Sequence, residues 1–96
     1  MAATYKRAAV ERALKAKGFR RREGDHSYFI YYTEESKKTP VQTKTSHGRG
    51  GADIPDNLIG RMAKQCKLRT AEFRALVDCP LSQAEYEKLL TTKGEI

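Results

Sequence analysis

The segment His26-Ser27-Tyr28-Phe29-Ile30-Tyr31-Tyr32-Thr33 does most to limit the folds open to this chain. It holds four of the chain's eight aromatic side chains, which are five Tyr and three Phe. Aromatic and β-branched side chains fit a pleated, half-buried surface, so the segment is predicted to be a strand. Gly24-Asp25 supplies turn chemistry just before it, and Phe19 to Glu23 is short enough to pair back as a hairpin. Pro40 to Ser46 alternates well enough to be a third strand, with Pro40 tolerable at its start. Glu34 to Lys38 is a polar connection, and the three strands are expected to form an antiparallel meander.

Helices are expected on either side of that meander. Ala9, Val10, Ala13 and Leu14 recur at the three-to-four spacing of one buried stripe, which predicts a helix from Thr4, its N-cap, to Lys17. Gly18 then stops it as a left-handed residue would. Ile54-Pro55-Asp56-Asn57 places a proline where a first helical turn accepts one. Leu58, Ile59, Met62, Ala63 and Cys66 mark a face that runs to about Lys67. Thr70 opens a short helix carrying Phe73, Leu76 and Val77. The capping-box pattern Ser82-Gln83-Ala84-Glu85 opens a last one carrying Tyr86, Leu89 and Leu90. The expected fold is α+β, a helix, three strands and a helix in the order of a double-stranded-RNA-binding core over residues 1–69. Residues 70–96 form a C-terminal helical extension on the same domain. Val10, Leu14, Phe19, Phe29, Leu58, Ile59 and Met62 are expected in its core.

A chain of 96 residues can build one modest core. Its charge is uneven as well as positive: the first 24 residues carry eight basic and two acidic side chains, whereas residues 70–96 carry three and five. A net charge of +7 concentrated at one end favours contact with a polyanion, nucleic acid above all. Cys66 and Cys79, separated by twelve intervening residues with no His or Cys nearby, lack the ligand count of a closed zinc site and read as buried free thiols. No apolar run suits a signal peptide or a membrane span, so a cytoplasmic location with reduced thiols is expected.

The residues now in view resemble a known family. Leu14, Gly18-Phe19, Gly24-Asp25-His26, Tyr28-Phe29, Val41 to His47-Gly48 and the helix from Ile54 to Lys64 are similar to the pattern of the HicA (YcfA-like) toxins, over about Val10 to Phe73. Asp25 stands where that family usually has Ser. The resemblance implies a type II toxin-antitoxin toxin, a metal-independent endoribonuclease that cleaves mRNA without cofactor or metal. It implies His26 as the essential residue and a HicB-type antitoxin protein as the partner.

The chemistry of the residues agrees with that implication. RNA carries its own nucleophile in the 2′-hydroxyl, so cleavage needs proton transfer, a cation at the phosphate and alignment. A histidine has both protonation states near neutral pH. His26 is expected to share a strand face with Tyr28, Ile30 and Tyr32, with Arg20 and Arg22 opposite on the paired strand and Arg21 turned to the other face. His47 is a possible second catalytic residue, in a glycine-rich loop where Arg49 and backbone amides suit a phosphate. Arg20, Arg21, Arg22, Lys44 and Arg49 are the candidate nucleic-acid contacts. Two other functions fit the same features: a non-catalytic RNA-binding module, and a protein-interaction domain that works through the acidic segment after Thr70.

Overall fold

The computed structural model describes residues 5–45, 53–78 and 80–96. Among the described residues nine elements follow one another: β1 (Tyr5–Lys6), α1 (Arg7–Ala16), β2 (Phe19–Glu23), β3 (Ser27–Tyr32), β4 (Lys38–Thr45), β5 (Asp53–Ile54), α2 (Asp56–Gln65), α3 (Thr70–Asp78) and α4 (Gln83–Thr92). The result is a compact α+β fold with a three-stranded antiparallel sheet, ordered β2-β3-β4, and four helices. Among the described residues no helix is long and apolar enough to cross a membrane.

The register of the sheet explains its two faces. Phe19 lies opposite Tyr31, Arg21 opposite Phe29, and Phe29 in turn opposite Thr43. These positions face the helices, where Phe19, Phe29, Tyr31 and Val41 are buried with Val10 and Leu14 of α1, Ile59 and Met62 of α2, Phe73 and Leu76 of α3, and Tyr86 and Leu90 of α4. Phe19, Tyr31 and Tyr86 make an aromatic cluster with ring centroids 5.0–5.8 Å apart, the separations at which tilted and offset rings attract.

The inner face of β4 carries three threonines beside Val41, and each buried hydroxyl has a partner. Thr39 Oγ1 donates to the Tyr31 carbonyl at 2.7 Å, Thr43 Oγ1 to Gln65 Oε1 at 2.6 Å, and Thr45 Oγ1 to Glu11 Oε2 at 2.7 Å. A buried hydroxyl left without a bond costs about 1–3 kcal/mol, so the Thr43 and Thr45 bonds help fix how α2 and α1 sit over the sheet.

Several boundaries differ from the sequence expectation, each for a local reason. α1 starts at Arg7 rather than Thr4, because Tyr5 and Lys6 pair antiparallel with Ile54 and Asp53. Thr4 lies outside the described residues. Pro55 is the N-cap of α2, in an extended conformation, and so stands one residue before the helix. The strand after the polar connection begins earlier than expected, at Lys38, and Pro40 lies inside it on an edge of the sheet. Leu58 was expected in the core and is 40% exposed. The buried stripe of α2 is Ile59, Met62 and Ala63, at i, i+3 and i+4, and Leu58 falls about 100° off it.

Candidate functional site

His26 is not a strand residue. Glu23 pairs with Ser27, so Gly24, Asp25 and His26 form a three-residue loop joining β2 to β3. Tyr28, two residues on, donates its hydroxyl hydrogen to Asp25 Oδ1 at 2.8 Å. That bond, with the nearby His26 charge as a smaller cause, holds the Asp25 carboxyl below its ordinary value, and the same bond raises the Tyr28 phenol. Asp25 is thus engaged by Tyr28 rather than by the imidazole. The His26 and Tyr28 rings meet edge to face, with centroids 6.2 Å apart, and among the described residues no hydrogen bond holds the imidazole.

The half-buried His26 side chain opens on a cleft of about 190 Å³ between the end of β4 and the outer side of α2. Arg7 from the start of α1, Lys44 from β4 and Arg61 from α2 line it, with Gln65 and the exposed Leu58. Among the described residues three cationic side chains line the cleft together with the imidazole, and Asp53 is the single carboxylate in that lining. Among the described residues Lys44 and Arg61 form no ion pair, and both are exposed. Positive potential in a concave, partly apolar site is focused rather than dispersed into solvent, which favours an anionic ligand.

The neighbouring arginines take other places. Arg21 points to the helix side, where it bridges Glu23 and Ser27 Oγ and lies 3.8 Å from Glu11. Arg20 and Arg22 project from the opposite, open face of the sheet, Arg20 over the Tyr32 ring at 4.0 Å and Arg22 over the Tyr28 ring at 5.4 Å. None of the three lines the His26 cleft. Lys44 does, and His47 and Arg49 lie outside the described residues.

Arg7, Arg61 and Gln65 were not candidates from the sequence. For α2 a signal existed: Leu58, Arg61 and Gln65 stand at i, i+3 and i+7, a second stripe beside the buried one. An apolar Leu58 beside Ile59 reads as core, which masks that second stripe. For Arg7 no local signal exists, since only the β1–β5 pairing brings the start of α1 beside α2. Among the described residues no cluster of His, Cys, Asp and Glu is arranged to hold a metal ion. Cys66 is fully buried, and that burial pushes its thiol well above the ordinary range, the state of an inert core residue. Cys79 lies outside the described residues.

Comparison of the chain with protein-family models, with curated proteins and with solved structures gave no match.

Proposed function

We propose that this chain is a HicA-type endoribonuclease that cuts mRNA without a metal, with His26 as its proton-transfer residue. The observation that carries the reading is the convergence of Arg7, Lys44 and Arg61 on the cleft beside His26. The order α1-β2-β3-β4-α2 supports placing the core with double-stranded-RNA-binding folds. The basic first quarter of the chain supports a polyanionic substrate.

In this reading the three cations hold the scissile phosphate, and the imidazole takes the proton from the adjacent 2′-hydroxyl. The 2′-oxygen then attacks phosphorus and the bond to the 5′-oxygen breaks. The products are a 2′,3′-cyclic phosphate and a 5′-hydroxyl, whose proton comes from water. Positioning and one general base are enough, because the nucleophile belongs to the substrate. A HicB-type antitoxin neutralises the enzyme by covering the His26 cleft.

The test is digestion of a labelled RNA in EDTA by the wild type and by His26→Ala. Removal of one general base lowers the rate about 10²- to 10⁴-fold. Cleavage that survives chelation and is lost in the folded variant supports the assignment. Undiminished cleavage by the variant, or none by the wild type, rejects it; salt-sensitive binding without cleavage would leave an RNA-binding module.

A further inference from the structure

The open face of the sheet carries a second arrangement that cleavage does not require. Its outward positions are Arg20 and Arg22 on β2, Tyr28, Ile30 and Tyr32 on β3, and Lys38, Pro40, Gln42 and Lys44 on β4. Four are cations and none is acidic. Among the described residues none of the four cations forms an ion pair. Core packing does not account for the face, since the buried aromatic rings point to the helices.

Its geometry is that of a stack waiting for another layer. The Arg20 guanidinium sits 4.0 Å from the Tyr32 ring centroid and Arg22 5.4 Å from that of Tyr28, and both arginines are exposed. Ile30 lies between the two tyrosines and is only 5% exposed, so the pairs stand on an apolar floor. A planar guanidinium already on one ring offers its other side to a second flat, polarisable group. Nucleobases of a single strand are such groups, and the phosphates between them match the four cations. Tyr28 and Tyr32 are about 13 Å apart along the strand, far more than the ~3.4 Å between stacked bases, so the bases must be splayed. The face is continuous with the cleft, since Lys44 belongs to both and the Tyr28 ring meets the His26 ring.

We infer that Arg20 on Tyr32 and Arg22 on Tyr28 form a base-stacking platform for single-stranded RNA running on from the His26 cleft. The inference rests on the reading of the chain as an RNA binder, not on its cutting RNA. It predicts that the bound RNA is unpaired where it leaves the His26 cleft.

The test is equilibrium binding of a fluorescent, 2′-O-methylated single-stranded oligonucleotide, which cannot be cleaved, against an abasic strand of equal length and charge. The R20K/R22K variant keeps both charges and loses both planar groups. It should bind the base-bearing strand about tenfold more weakly than the wild type and the abasic strand equally well, with the same salt dependence. Equal wild-type affinity for the two strands, unchanged binding by R20K/R22K, or preference for a duplex of the same sequence overturns the platform. No affinity for either strand at low salt also overturns it, and points to a protein partner for this face. A chain that binds bases through these arginines yet never cuts RNA overturns the nuclease reading and leaves the platform standing.

Discussion

Lys17 is the one charged side chain buried among the described residues, at 8% exposure. Its ammonium donates to the carbonyl of Leu76 at 3.0 Å and to that of Leu81, tying the end of α1 to the end of α3 and the turn into α4. In sequence it completes the α1 stripe, three residues after Leu14 and seven after Val10, but its charge argues for solvent. Only the structure supplies the two carbonyls that make burial tolerable. Lys17→Met keeps the aliphatic volume and leaves both carbonyls without that donor, so it should cost about 1–3 kcal/mol in a urea titration. Tyr86 offers a pH counterpart. Burial first, and then neighbouring groups, raise its phenol well above the ordinary value, while its hydroxyl donates to the Cys66 carbonyl at 2.8 Å. Tyr31 is raised likewise, by burial and by its bond to Glu87. In the unfolded chain these phenols ionise near pH ~10. A folded value above the unfolded one gives stability that is whole below that pH and lost as pH rises beyond it. Thermal melts from neutral to alkaline pH should therefore show Tm falling from about pH 10, and more shallowly in Tyr86→Phe than in the wild type.

At the scale of elements, two helix stops show what was legible in the sequence and what was not. α1 ends before Gly18, whose φ of +99° only glycine adopts readily, and the sequence announced it. α2 ends in the same manner, with the Leu68 amide donating to the Ala63 carbonyl at 2.9 Å, but the left-handed residue is Lys67 at φ +63°. Without a glycine the sequence offered no mark, and the expected end lay beyond the observed one. The stops should respond oppositely to substitution. At Gly18 a Cβ would lie 2.3 Å from Gln83 Nε2 and 3.0 Å from Tyr31 Cε1, besides requiring the strained φ. Gly18→Ala should therefore destabilise by more than about 1 kcal/mol. Lys67→Gly relieves about 1 kcal/mol of backbone strain. Its Cm should rise or hold, because the Lys67 carbonyl that accepts from Lys93 Nζ belongs to the backbone and survives the change. The capping box on α4 was readable because its signal is local: Ser82 Oγ accepts from the Glu85 amide and Glu85 from the Ser82 amide. The β1–β5 pair was not, because two-residue strands carry no period. The His26 cleft inherited that difficulty, since His26 and Lys44 could be named from sequence while Arg7 arrives through that pair.

At the scale of the molecule, the charge division along the chain invites a division of labour, with a basic core that binds and an acidic tail that does something else. The packing opposes a physical separation. Phe73, Leu76, Tyr86 and Leu90 are each 0% exposed and belong to the same buried cluster as Phe19, Phe29 and Tyr31. Glu87 accepts from the Tyr31 hydroxyl at 2.7 Å and from the Glu34 amide at 2.9 Å, so α4 also holds the strand that leads from His26. Burying one large apolar side chain is worth about 1.5–3 kcal/mol, so losing four removes an amount comparable to the ~5–15 kcal/mol that holds a small domain together. A chain ending at residue 69 should therefore lose its cooperative unfolding transition and its dispersed amide spectrum, rather than survive as a smaller folded core. A truncated chain that melts cooperatively and keeps a dispersed amide spectrum would show that the helices after Thr70 are an appendage. The expected unfolding instead makes them part of what holds Tyr31, and through β3 the loop that carries His26, in place.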